Sequence, residues 1–144
     1  MKELIKTLKK QYDEILTIFE ALEDFCRGKA QKDWVAEKGN IIYYLKKFKK
    51  SIQEHVKLET DQLYPSLLNS KDKALKKKGE KYFDEMNRIS ENMVQFFDKY
   101  NDLKQGELSS NIDFKLDLTT IIKNFKKRID VEEIKLFPLY EQLK

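Results

Sequence analysis

Five side chains interrupt the apolar pattern at positions where a helix would turn its core face inward: Tyr12, His55, Glu59, Arg128 and Glu132. His55 and Glu59 stand four residues apart, as do Arg128 and Glu132, so on helices each pair projects from one face. A buried carboxylate without a partner is costly, so each Glu must be paired, protonated or bound to a metal. Two Glu and a His inside a helical bundle are the materials of carboxylate-bridged metal sites. Tyr12 adds a phenol, which as tyrosinate is a hard ligand for ferric iron. Tyr12, His55, Glu59 and Glu132 together form a mixed nitrogen and oxygen set suited to one iron or manganese ion. Arg128 works against this, because a guanidinium has no lone pair for a metal and pairs readily with carboxylates. It would then hold an anion near the metal or swing out of the site. In the opposing reading no metal is present: Arg128 offsets one of the two charges of Glu59 and Glu132, protonation of His55 or of one Glu offsets the other, and the cluster is a buried salt-bridge core. Haem is a third reading: a bundle can hold it between His55 and Met86, with Arg128 on a propionate. Against it, Met86 and Met93 on a helical stripe also serve as core filler.

The two pairs share more than their spacing. His55-Val-Lys-Leu-Glu59 leads to Leu63-Tyr64-Pro65, and Arg128-Ile-Asp-Val-Glu132 leads to Leu136-Phe137-Pro138. In both, Glu follows the first residue by four and Pro follows it by ten. This is the pattern of a duplicated helical pair, with each Pro expected to end its helix just past the site.

The doubled motif, His with Glu four residues on and a Leu-aromatic-Pro ending, resembles the hemerythrin family in its bacterial cation-binding (HHE) branch. Gln11-Tyr12-Asp13-Glu14-Ile15-Leu16 resembles that family's first-helix motif, in which a His stands at the Tyr12 position. The resemblance implies an all-α, up-down-up-down four-helix bundle and a non-haem di-iron centre, with irons held by His from all four helices and bridged by two carboxylates. It implies reversible oxygen binding, oxygen or iron sensing, or a response to nitrosative stress. Glu59 and Glu132 match the bridging carboxylates and His55 the second-helix ligand. The chain departs from the pattern at three places: Tyr12 and Arg128 replace His, and the third-helix His would fall near Met86. With one His in the whole chain, the family's two-iron site cannot be assembled. The resemblance therefore leads to a remodelled, single-ion site.

Four segments with heptad-like spacing must position these residues. The first, about 2–27, carries Leu4, Leu8, Tyr12, Ile15, Phe19, Leu22 and Cys26 on its seam, with Gly28 as a C-terminal cap. The second, about 31–63, carries Ile41, Leu45, Phe48, Ile52, His55, Glu59 and Leu63, and Gly39-Asn40 could break it. The third, about 71–104, carries Leu75, Gly79, Tyr82, Met86, Ile89, Met93, Phe96, Tyr100 and Leu103, and ends at Gly106 and Ser109-Ser110-Asn111. The fourth, about 112–136, carries Phe114, Leu118, Ile121, Phe125, Arg128 and Glu132. Short links between four such helices predict one domain over residues 1–144.

Composition agrees: four Gly and two Pro leave little material for turns. Charged residues make up 38% of the chain, but the net charge is only +4. The densest basic run, Lys71 to Lys81, lacks the arginine and aromatic interleaving of a nucleic-acid surface and reads as a solvated helix face. No apolar stretch approaches the roughly 20 residues of a membrane span. The first residues have no apolar signal-peptide core, and Cys26 is the only cysteine, which together lead to the expectation of a cytoplasmic protein. Partners are expected to be a metal ion and a small diatomic or anionic ligand, without nucleic acid or membrane. No nucleophile system and no phosphate-binding glycine loop is present, so binding or sensing is expected before catalysis.

Overall fold

The structure, a computed structural model, describes residues 2–26, 34–100 and 112–143. Six α-helices account for nearly all of them: α1 Lys2–Cys26, α2 Trp34–Leu58, α3 Tyr64–Leu68, α4 Lys73–Tyr100, α5 Ile112–Val131 and α6 Phe137–Glu141. A π-helical turn over Glu59–Leu63 joins α2 to α3. A second, over Glu132–Leu136, joins α5 to α6. The described residues therefore make four continuous rods, with no strand among them.

Ring contacts give the rods' directions. Tyr12 lies against His55 and Phe19 against Phe48, so α1 and α2 run antiparallel. Tyr64 meets Phe83 and Phe48 meets Phe97 on α4, Phe96 meets Phe114 and Glu85 meets Arg128 on α5, and Phe125 meets Phe19 on α1 while Glu132, just past α5, meets Tyr12. Each rod thus packs antiparallel to the next and the last returns to the first, an up-down-up-down bundle. The expected seams form its core. Every described seam residue is buried except Cys26, Ile89 and Ile121, which are half-buried. Ile5, Ile18, Ile122 and Ile129 are buried as well, so the apolar stripes are wider than a strict seam.

Three sequence expectations need correction or restriction. Gly39-Asn40 does not break α2, because a single helical glycine costs only about 1 kcal/mol and the flanking turns carry it. Neither proline ends its rod. Each sits in the first turn of a short helix behind a π turn. In a regular helix Pro65 would remove a hydrogen bond and press its ring on the carbonyl four residues back. Here the preceding N–H, from Tyr64, reaches five residues back to Glu59, and Phe137 does the same to Glu132. The widened turn lets the helix run through the proline. Gly28, Leu103, Gly106 and Ser109-Ser110-Asn111 lie outside the described residues.

The α3–α4 link is a tight turn in which Asp72 caps α4. Its Oδ1 accepts the backbone N–H groups of Ala74 and Leu75 at 2.9 and 3.3 Å. The six lysines from Lys71 to Lys81 are all exposed, as a solvated face requires. On the opposite face Gly79 touches α3: a Cβ there would lie 2.8 Å from Leu67 Cβ. In an open helix Gly→Ala stabilises by about 1 kcal/mol. At this crossing Gly79→Ala is expected to destabilise instead, by about 1–3 kcal/mol from overpacking, which urea unfolding would measure.

Candidate metal centre

One polar layer crosses the bundle interior. α1 supplies Tyr12, α2 supplies His55, the first π turn opens with Glu59, α5 supplies Arg128, and the second π turn opens with Glu132. All five are buried, His55, Glu59 and Glu132 completely. The five residues singled out by sequence are thus brought together. Met86 is buried on α4 but makes no polar contact with them among the described residues.

Glu132 is the hub. Its Oε1 accepts the Tyr12 hydroxyl and lies 3.2 Å from His55 Nε2, while its Oε2 accepts Arg128 Nε at 2.9 Å. Burial alone would raise this carboxyl, but the hydrogen bond from His55 and the charge of Arg128 outweigh it and hold it well below the usual carboxylate range. His55 Nε2 also lies 3.3 Å from Glu59 Oε1. One N–H cannot serve both carboxylates. It goes to Glu132, and neither oxygen of Glu59 has a hydrogen-bond partner. Burial, together with the charge of Glu132, accordingly pushes Glu59 upward.

His55 is held from both sides. Its Nδ1 lies 2.8 Å from Gln11 Oε1. Burial works against the charged ring, but the hydrogen bond to Glu132 and the negative charges of Glu59 and Glu132 prevail and lift its pKa to about 9. Where Glu59 is ionised, the two carboxylates, Arg128 and a protonated His55 sum to zero charge. The Tyr12 phenol is raised far above its ordinary range by burial and by the two carboxylates, so it keeps its proton and donates it to Glu132.

Arg128 is tied down elsewhere as well. One terminal nitrogen donates to the Tyr64 hydroxyl at 2.7 Å and to the Tyr82 carbonyl at 2.9 Å, and the other reaches Glu85 Oε2 at 3.4 Å. Of the two glutamates expected to pair with Arg128, Glu132 is the one that does so. The second carboxylate on Arg128 is Glu85 on α4, and Glu59 is not among its partners. Gln11, Tyr64 and Glu85 complete the site and were not singled out from sequence. Tyr64 does sit in the repeated Leu-aromatic-Pro ending, and its counterpart Phe137 stacks on Tyr12, with ring centroids 5.9 Å apart.

The donor set can be tested against a cation. His55, Glu59 and Glu132 each offer an atom, and these atoms lie within 4.8 Å of one another. Donors about 2.0–2.2 Å from a shared ion would stand at such separations or slightly closer. A fully buried carboxylate with two unsatisfied oxygens is what an ion would complete. One cation fits these residues. A pair does not, because the guanidinium already occupies Glu132 Oε2 and brings a fixed positive charge.

Comparison with family models gives a match to the hemerythrin HHE cation binding domain over residues 4–140, almost the whole chain. The chain belongs to the hemerythrin HHE cation-binding family. Comparison with curated proteins and with solved structures returned no match. As a hemerythrin domain it has the all-helical fold expected, and its buried His and Glu pair stands where a cation could bind. No described helix is long and apolar enough to cross a membrane.

The uneven partnering gives a stability test on metal-free protein. Glu132→Ala leaves Arg128 buried without its main partner and is expected to cost about 3–5 kcal/mol. Glu59→Gln replaces a buried ionisable group that has no hydrogen bond, and is expected to cost less than about 1 kcal/mol or to stabilise. Equal losses in urea unfolding of the two variants would contradict this assignment.

Proposed function

We propose that this hemerythrin-like domain, taken as one unit over residues 1–144, binds a single non-haem iron or manganese ion and acts as a binding or sensing protein. His55, Glu59 and Glu132 would hold the ion, with Tyr12 as a fourth donor. The observation that carries the reading is Glu59: a fully buried carboxylate, unsatisfied at both oxygens, beside three other donors. Gln11 supports it. A His that binds metal through Nε2 keeps a proton on Nδ1, and a partner for that proton fixes the ring and strengthens the ligand. Gln11 Oε1 stands where this partner must be. The donors suit a hard to borderline ion, and iron would supply redox chemistry or a place for a small ligand.

The chain's own residues set the terms for that ion. Loading displaces protons, because His55 must be neutral at Nε2 and Tyr12 must release its hydroxyl proton to bind as tyrosinate. Arg128 stays with Glu132 and keeps that carboxylate charged. Haem is less well supported, since the carboxylates of Glu59 and Glu132 stand 3.3 and 3.2 Å from His55 Nε2, where a macrocycle would have to lie. A metal-free bundle is favoured by one observation, the ion pair of Arg128 with Glu132.

Expression in iron-supplemented medium, purification without chelators, and metal analysis with a visible spectrum decide between these readings. Close to one iron per chain is expected, with a tyrosinate-to-iron band that Tyr12→Phe removes. Metal-free, colourless protein would leave the salt-bridge bundle. A Soret band would point to haem.

Arg128→His removes the fixed charge and restores a ligand type that the family resemblance leads one to expect there. Its iron content is expected to rise above that of the parent protein. Unchanged content, in a variant that folds, would count against Arg128 as the block to a second ion.

A further inference from the structure

We propose that the groove between α4 and α5 is a binding site for a small amphipathic carboxylate, whose head group takes Arg128 and whose apolar tail lies along the groove. The groove is a cavity of about 340 Å³, a size common among small-molecule sites. Its two walls follow from helical spacing. On α4, Glu85, Ile89, Met93 and their neighbours Arg88 and Asn92 recur at three and four residues. On α5, Ile121, Asn124, Arg128 and Val131 do the same, with Lys127 beside them. Ile89, Met93, Ile121 and Val131 make an apolar bed. Asn92 and Asn124 offer amides at the sides.

The charges identify the ligand's other end. Arg88, Lys127 and Arg128 face one carboxylate, Glu85, so the cavity carries an excess of positive charge. Among the described residues, neither Arg88 nor Lys127 makes an ion pair. Arg128 is the recognition element, because it is 97% buried and already aimed: its Nε and one terminal nitrogen are fixed on Glu132, Tyr64 and Tyr82. The remaining nitrogen meets only Glu85, at 3.4 Å, near the limit of a hydrogen bond, and the Glu85 side chain is 37% exposed. An incoming carboxylate can replace Glu85 there while Glu85 turns into solvent, and the positive charge keeps a partner throughout. A neutral ligand cannot make this exchange.

The larger groove between α2 and α4, about 450 Å³, lacks such a feature. Its charged residues Lys49, Lys57, Asp61 and Asp98 balance, and Lys57 is paired with Asp61. The proposed site meets the polar layer only at Arg128, whose Nε stays on Glu132, and it stands whether or not that layer holds an ion.

Calorimetric titration of the full chain with octanoate, 1-octanol and acetate tests the proposal, with methyl NMR shifts to locate the ligand. Octanoate is expected to saturate and to shift the methyl groups of Ile89, Ile121 and Val131, which line this groove and not the α2–α4 one. Affinity should fall towards acetate by up to about fourfold per methylene lost from the bed. Octanol should bind at least about tenfold more weakly, the equivalent of one charge-assisted hydrogen bond. Asn92→Trp fills the groove from an exposed position and should abolish octanoate binding without touching Arg128. The exposed pair Arg88→Glu and Lys127→Glu should weaken octanoate and leave octanol unchanged. Undetectable octanoate binding, octanol binding as tightly as octanoate, an unaffected Asn92→Trp titration, or shifts at Val94 in the α2–α4 groove would each overturn the proposal.

Discussion

Two glutamates at the centre of a helical bundle impose a charge problem that the rest of the interior is arranged to meet. Water cannot reach Glu59 or Glu132, so neutralisation must come from neighbouring side chains, protons or a bound ion. The side chains divide unequally. Glu132 receives the phenol of Tyr12, a ring nitrogen of His55 and the guanidinium of Arg128. Glu59 receives close approach from His55 and no hydrogen bond. The site therefore contains one satisfied and one unsatisfied carboxylate, and the second gives the cluster its capacity to take a cation.

The backbone at each glutamate reflects the same arrangement. Both begin a π turn, and both turns run into a proline in the next short helix. The extra residue in the turn accommodates the missing N–H and the bulk of the ring, and the rod continues with a new rotational setting. That setting brings Leu63 and Tyr64 inward in one half, and Leu136 and Phe137 in the other. Tyr64 then reaches Arg128, and Phe137 covers Tyr12. The duplicated motif thus builds both the ligand positions and the lid of side chains beneath them.

The bundle was legible in the sequence because apolar spacing repeats along all four rods. The five polar residues were legible because each replaces an apolar residue on such a stripe. What could not be read was the partnering. Whether Arg128 meets Glu59 or Glu132 depends on side-chain direction across the bundle, which spacing on one helix does not determine. The π turns were hidden for a related reason: Glu59, Leu63 and Leu67 keep a step of four through the turn, so the proline looked like a terminator. Gln11 sits beside Tyr12 and off the seam, and its polar character is unremarkable on a half-buried face. Only the position of His55 on the next rod makes it part of the site.

Arg128 also makes the two sides of the cluster unlike. Towards α4 and α5 the polar layer presents a fixed cation backed by Glu85, and towards α1 it presents the half-buried amide of Gln11. The duplicated halves would otherwise make these directions similar. A cation moving inward from the α4–α5 side would meet repulsion at the last step, which would favour the α1 side. No donor is solvent-exposed there either, so passage waits on a transient parting of the helices. Exchange of a cation held there would then be governed by how often the bundle breathes, and a weakly held ion could still be a long-lived one.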